Sequence, residues 1–538
     1  MAFDSAAGRP VRDAIPDLSD PACYPHPVKA VEMIETHISR IFLTGDYAYK
    51  VKKPVDLGFL DFTTLEARRR ACADELRLNR RLAPRLYLDM VEIRGTPDAP
   101  HVGGGGPLLD YAVRMRQFAQ EQLASRVLAR DGLTADLITG LARLLARFHA
   151  AAPENAGGHG TPVAVRANAM QNFEQIGALL TRARDRRALE RLRNWTEREH
   201  ERLRPLLARR HGAGRVREVH GDLHLGNIVL LEGELTPFDC IEFNAEFRWN
   251  DVMSEVAFLV MDFADRGADA CAYLFLDAYL TETGDYEGLG VLRFFMVYRA
   301  LVRAKVHLMR ATQTPDAQER RRLAGEYRRY VRLAASFTRH AKPGMLLMHG
   351  LTACGKSTIA RELLQTLRAI RIRSDVERKR LAGLHAEAAS HSPVGGGLYS
   401  ADRSAATYER LAMLARTVLQ AGHTVIVDAA FLRRRDRVRL AEVAASLHVR
   451  WIVLDIDVPE RVLRQRVAAR AAAGGDPSEA TLDVLIAQLG MREPLTAQER
   501  RHALKIDARD ALTPADRARI AHKLLPRSAH KRKASSSR

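Results

Sequence analysis

The stretch Gly350, Leu351, Thr352, Ala353, Cys354, Gly355, Lys356, Ser357 fits G-x-x-x-x-G-K-[ST], follows an apolar run and opens a helical one at Thr358. Glycines let such a backbone wrap phosphate oxygens. Successive N–H groups and the helix N-terminus point at those oxygens, Lys356 brings a point charge to the β and γ positions, and Ser357 is placed to ligate Mg2+. Cys354 reads as a small residue tolerated in the loop, without a redox role. The chemistry expected here is binding of a nucleoside triphosphate, ATP in the first instance, with Mg2+.

A loop of this kind does not by itself separate phosphoryl transfer from hydrolysis, so its surroundings decide. Beyond the next strand, Asp375 and Arg378 form a D-x-x-R unit. Asp375 could take the proton of an acceptor hydroxyl and Arg378 could hold an anionic group of that acceptor. After Val458 and Pro459, a helix carries Arg464, Arg466 and Arg470 and leads into AAAGGDPSEA. An arginine-bearing lid can close on a transferring phosphoryl group; which arginine acts there stays open. The loop, the D-x-x-R, Arg466 with Arg470, and the later VLIAQL make this part similar to small P-loop kinases, most nearly the kinase domain of polynucleotide kinases. That resemblance places Asp428, at the end of VIVD, near the metal; a strand-terminal cap is its alternative role.

A second constellation lies in VHGDLHLGNIVLL and PFDCIEFN: Asp222, Asn227 five residues later, and Asp239 beyond a hairpin. Two carboxylates and an amide between short strands suit Mg2+, which takes hard oxygen ligands, and a nucleophile that needs a local acceptor. The arrangement resembles a protein-kinase-type catalytic loop. With His-Gly-Asp for His-Arg-Asp, it is most similar to the aminoglycoside phosphotransferase and choline kinase superfamily. The resemblance implies that Asp222 orients the acceptor hydroxyl while Asn227 and Asp239 hold Mg2+; His224 is expected as loop scaffold. It also implies that Ala48 lies against the adenine, that Lys50 (or Lys52, on the same strand face) meets the α and β phosphates, and that Glu75 is the ion-pair partner. Asp239-Cys240-Ile241 replaces D-F-G, and no glycine-rich loop precedes the lysines.

These sites need two different scaffolds. Before the first lies a lobe with a hairpin around Gly45 and Asp46, the helical run TTLEARRRACADELRLNRRLA, and the strand-like MVEI and LLDYAVRM joined across Gly103 to Gly106, read as a hairpin turn. A five-strand lobe with one helix is the expectation. From Gln117 the period is helical, broken only at Val219 to Phe243. After Lys342, Pro343 and Gly344, the apolar runs MLLMHGL, RIRSDV, HTVIVDAAF and VRWIVLDIDV alternate with helices, the mark of parallel strands covered on both faces. The expected fold class is therefore an α+β bilobal protein-kinase-like domain followed by an α/β doubly wound parallel-sheet P-loop domain. The expected boundaries are an N-terminal extension (1–27), N-lobe (28–116), helical C-lobe (117–341), P-loop domain (342–526) and basic tail (527–538).

Of 538 residues, 84 are Lys or Arg and 65 Asp or Glu, a formal net charge of +19. Much of the arginine is interleaved with acids at helical spacing, as on a solvated helix face, so nucleic acid is possible as a partner without being favoured. Five scattered cysteines without a C-x-x-C argue against a disulfide framework. No apolar run suits a membrane span; Val252 to Ala264 is broken by Glu255 and Asp262. A cytoplasmic protein with two kinase-type domains is expected, each transferring a γ-phosphoryl group from ATP to a small-molecule hydroxyl acceptor. The rivals are a nucleotide-switched regulatory ATPase and a nucleic-acid end-processing kinase. Acceptor identities and oligomeric state are left open.

Overall fold

The computed structural model describes residues 16–56, 60–155, 157–339, 342–386, 388, 396–473, 481–508 and 511–525. The expected basic tail, the first half of the N-terminal extension and the loop after the lid helix lie outside them.

The first lobe is one antiparallel sheet of β1 (Glu32–Glu35), β2 (Ser39–Leu43), β3 (Tyr47–Lys52), β4 (Tyr87–Thr96), β5 (Ala99–Val102) and β6 (Leu108–Arg116), in the order β1-β2-β3-β6-β4-β5. Gly45, at φ 101°, closes the expected β2–β3 hairpin. Two expectations are corrected. The sheet has six strands rather than five, because the short β1 and β5 add an edge on each side and carry too few alternating residues to be legible alone. MVEI and LLDYAVRM do pair, as β4 and β6, but Gly103 to Gly106 is not a simple turn between them: β5 is inserted first and pairs with the other side of β4, so the glycines carry the chain from the edge back past β4. Helix Leu65–Asn79, capped by Thr64 accepting from the Ala67 N–H, buries Cys72 in a cluster with Ala48, Val113 and Met115. That contact sets Glu75, one turn on, beneath β3.

The helical region is interrupted where expected. β7 (Val216–Glu218) pairs with β10 (Trp249–Asp251), and between them β8 (Ile228–Leu231) and β9 (Glu234–Pro237) form a hairpin over Glu232 and Gly233, both at positive φ. Helix Val252–Asp265 runs directly beneath. Among the described residues, no helix is long and apolar enough to cross a membrane.

The last part is a parallel sheet of β11 (Gly344–His349), β12 (Ala369–Arg373), β13 (Thr424–Asp428), β14 (Arg450–Asp457) and β15 (Ala503–Asp507), ordered β12-β13-β11-β14-β15. β11 and β13 are buried along their whole length and β14 through its centre, Ile452 to Leu454, which explains their apolar runs. The chain leaves β11 at the point where strand order reverses, the place in an open α/β sheet where a crevice forms. By internal contacts the chain divides into two compact units, Met1–Asn168 with Leu207–Asp262, and Ala169–Leu206 with Phe263–Arg538.

Candidate functional site

In the first unit, β3 turns Lys50 and Lys52 to the same face, where both meet Glu75. Lys50 Nζ donates to Glu75 Oε1 at 2.7 Å and to Asp239 Oδ1 at 2.5 Å. Lys52, fully buried, bonds the other Glu75 oxygen and Glu242. Burial works against the Lys50 ammonium, but Asp239 and Glu75 outweigh it and keep it firmly protonated. Burial likewise pushes Glu75 up while Lys50 and Lys52 pull it below its ordinary value. Of the two lysines left open by the sequence, Lys50 is therefore the one that reaches Asp239, and Lys52 sits behind it as a strut. Ala48 is buried in the cluster that also takes in Leu231 and Phe238.

The loop carrying Asp222 is fixed residue by residue. Asn227 Nδ2 donates to Asp222 O and Asp222 Oδ2, each at 3.0 Å. Both of those neighbours accept, so the amide nitrogen must face them and Oδ1 faces away. His220 bonds Phe238 O through Nε2 at 2.7 Å and accepts the Asp222 N–H at Nδ1, which fixes its tautomer. His224 accepts from the Gly226 N–H and lies 3.5 Å from Asp222 Oδ2, a scaffold geometry. Gly221 stands at φ 90° with the Phe247 carbonyl oxygen 2.8 Å from where a Cβ would be. No arginine fits there, which accounts for His-Gly-Asp in place of His-Arg-Asp.

Several residues that hold this site carried no motif. Glu255 accepts from the Gly221 N–H at 3.1 Å and pairs with His149 at 2.6 Å; Asp262 accepts from the Leu225 N–H at 2.9 Å. These are the two acids that interrupt the apolar helix Val252–Asp265, and their buried position in an apolar run was the available signal. The Asp239 N–H donates to Tyr87 Oη at 3.1 Å and the Cys240 N–H to Asn79 Oδ1 at 2.9 Å. Asp239 itself adopts φ 66°, a strained conformation held by these two clips.

In the second unit the phosphate-loop geometry follows the sequence. Gly350 and Gly355 have φ 149° and 96°, and helix Lys356–Leu367 starts directly after them. Lys356 Nζ lies over the loop, donating to Gly350 O at 3.0 Å and Leu351 O at 2.6 Å; Thr352 N–H donates to Gln488 Oε1 at 2.7 Å, from the VLIAQL helix. Ser357 and Thr358 are exposed at the loop mouth, while Cys354 is buried beneath it. Asp375 opens helix Ser374–Leu381 and accepts from Arg373 Nη2 at 2.7 Å. Arg378 donates to Leu398 O and Ser404 Oγ and lies over the Tyr399 ring. Of the lid arginines, Arg466 reaches the loop, with Nη1 3.5 Å from Ala353 O and Nη2 2.9 Å from Ala508 O. Arg464 pairs with Glu460 at the surface. Arg470 lies on the same helix, Glu460–Ala473, with its side chain outside the described residues.

Asp428 ends β13 beside the strand that feeds the loop, 5% exposed, and its Oδ2 has no hydrogen-bond partner. Burial pushes its carboxyl up, against Arg371 and with Asp375. A buried hard oxygen without a hydrogen bond, at the end of the strand next to the one that feeds the loop, fits Mg2+. The donor set Asn227 Oδ1 and Asp239 fits Mg2+ equally in the first site.

The chain matches the Phosphotransferase enzyme family over residues 59–295 and the AAA domain family over 345–495. It is 31% identical over 477 residues to the uncharacterized proteins Rv2004c of Mycobacterium tuberculosis (strain ATCC 25618 / H37Rv) and Mb2027c of Mycobacterium bovis, covering 87% of this chain and 92% of theirs. Among solved structures, choline kinase from Cryptosporidium parvum Iowa II is similar at 10% identity and TM-score 0.36, covering 57% of this chain and 89% of that one. A sugar kinase from Janibacter sp. HTCC2649 is similar at 19% identity and TM-score 0.27, covering 34% and 94%.

Proposed function

The chain belongs to the family of these mycobacterial proteins, with two kinase-type domains in succession, and from that premise we propose that it is a cytoplasmic, ATP- and Mg2+-dependent phosphotransferase. Each domain transfers a γ-phosphoryl group to the hydroxyl of a small-molecule acceptor. The observation that carries this reading is Lys50 Nζ bonded at once to Glu75 and Asp239, with Asp222 and Asn227 joined beside them.

In the first site, Lys50 holds the α and β phosphates in a fixed position because Glu75 fixes Lys50. Asn227 Oδ1 and the Asp239 carboxylate would hold Mg2+, which would supply charge neutralisation to the phosphates. Asp222 accepts the proton of the acceptor hydroxyl as its oxygen forms the new bond to phosphorus and the bond to the ADP oxygen breaks. In the second site, the loop N–H groups and Lys356 cradle the phosphates, Ser357 and Asp428 would hold Mg2+, Asp375 receives the hydroxyl proton, and Arg466 faces the transferring group. Arg378 sets the acceptor's position.

The test is transfer of labelled γ-phosphate from ATP into a small-metabolite extract by wild type, Asp222→Ala and Lys356→Ala. Two labelled products, each lost in a different variant, are expected. Release of label solely as inorganic phosphate, with acceptors supplied across alcohol, sugar and amino-alcohol classes, would overturn the reading in favour of a nucleotide-switched ATPase.

A further inference from the structure

Helix Asp269–Thr283 falls inside the residues matched to the phosphotransferase family, yet it packs on edge strand β12 and helix Lys356–Leu367 of the P-loop sheet. Its one buried carboxylate on that side is Asp277. Asp277 takes a two-pronged grip on Arg371 of β12, Oδ1 accepting from Nε at 3.1 Å and Oδ2 from Nη2 at 2.7 Å, with both side chains almost fully buried. The remaining arm of the guanidinium, Nη1, donates to Ser357 O at 3.3 Å and stands 3.8 Å from Asp428 Oδ2. Arg371 thus lies between an acid of one family segment and the metal-site candidates of the next.

The geometry points to Asp277 as a positioning residue for the P-loop site: it holds Arg371 back from Asp428, so that the Asp428 oxygen stays open to a divalent cation. This rests on the P-loop reading above. The argument is one of competition. A guanidinium is always charged and its fork matches a carboxylate. With Asp277 present, the fork is satisfied and Asp428 receives only the distant Nη1. Without it, the same cation in the same buried pocket already has the Asp428 oxygen at 3.8 Å, and pairing with it would occupy the oxygen and neutralise the charge that draws Mg2+. Arg380 Nη2 bonded to Thr281 O and Arg368 Nη2 to Asp269 Oδ2, at 2.5 and 2.6 Å, fasten the same helix at two further points. Asp277 is therefore presented by a helix that cannot easily shift.

The experiment titrates MgCl2 against ATP binding to the full chain, scoring the binding component that Lys356→Ala removes, with thermal unfolding recorded for every variant. Asp277→Asn is expected to raise the half-saturating Mg2+ concentration at least about tenfold. Arg371→Met removes the competitor and is expected not to raise it. The double variant Asp277→Leu/Arg371→Met, which removes both charges of the Asp277–Arg371 pair together, is expected to fall within about threefold of wild type. A merely structural pair would weaken all three alike. Folded Asp277→Asn with unchanged Mg2+ dependence would overturn the inference. So would a folded double variant or Arg371→Met that weakens Mg2+, and these decide the question if Asp277→Asn does not fold. If Lys356→Ala removes no ATP binding at all, the P-loop reading itself falls; any other failure is of this inference alone.

Discussion

Lys52 is paired with Glu242, three residues beyond Asp239, and the two side chains are buried together behind the pair that Lys50 makes with Glu75. Two lysines on one strand face thus divide their work. Lys50 reaches the side of the site where Asp239 is partly exposed, whereas Lys52 ties the strand to the segment that carries Asp239.

The division predicts opposite signatures. Lys52→Met leaves Glu75 and Glu242 without a shared counter-charge and is expected to cost about 3–5 kcal/mol of stability, read as a drop in the denaturation midpoint. Lys50→Ala is expected to abolish the Asp222-dependent transfer with the smaller stability loss. Equal destabilisation with retained activity in Lys50→Ala would show that Lys50 is structural.

Glu255 should give the acid limb of stability a measurable part. Burial pushes its carboxyl up, but the hydrogen bond and charge of His149, with the Gly221 N–H, hold it below its ordinary value of 4.5. A carboxyl depressed in the folded state stabilises fully above that ordinary value and loses the contribution as pH falls through it toward the lower folded one. Glu255→Gln is therefore expected to be about 1–3 kcal/mol less stable near neutral pH, with the gap to wild type closing below pH 4.5. Thermal unfolding from pH 7 to 3 checks this; a constant gap across that range counts against it.

Gly221 is replaceable only at a cost. With φ 90° and the Phe247 carbonyl oxygen 2.8 Å from a would-be Cβ, Gly221→Ala must shift the backbone that places Asp222. A loss of about 100-fold in kcat is expected from misplacement of the reacting group, with KM for ATP little changed because Lys50 lies on another element. Activity within threefold of wild type would show that the loop tolerates the shift.

Arg466 and Arg464 are two residues apart and differ in role. Arg466 reaches the Ala353 carbonyl in the phosphate loop, whereas Arg464 is spent on Glu460 at the surface. Arg466→Ala is expected to lower the Lys356-dependent transfer by about 100-fold or more, and Arg464→Ala to leave it within a few-fold. Single-turnover transfer with both variants settles the assignment, which reverses if Arg464→Ala is the more damaging.

The sequence by itself determined the features whose physics is local. A phosphate-binding loop must be contiguous, so Gly350 to Ser357 declares itself. Strands β11 and β13, and the centre of β14, are buried on both faces and so read as apolar runs, and Asp222 with Asn227 belongs to one short turn. Three of the four edge strands of the two large sheets do not declare themselves: β1, β5 and β15 are short or half-polar, whereas the fourth, β12, is legible in RIRSDV. Only the tertiary structure decided which of Lys50 and Lys52 meets Asp239, which lid arginine reaches the loop, and that Glu255 and Asp262 hold the Asp222 turn while Tyr87 and Asn79 hold the Asp239 segment. Those choices depend on contacts between residues far apart in the chain, and a charge or hydroxyl in an apolar run shows that a partner must exist without showing which one. Asp277 is the furthest case: it lies 94 residues from Arg371 in a segment matched to a different family, and only packing brings the two together.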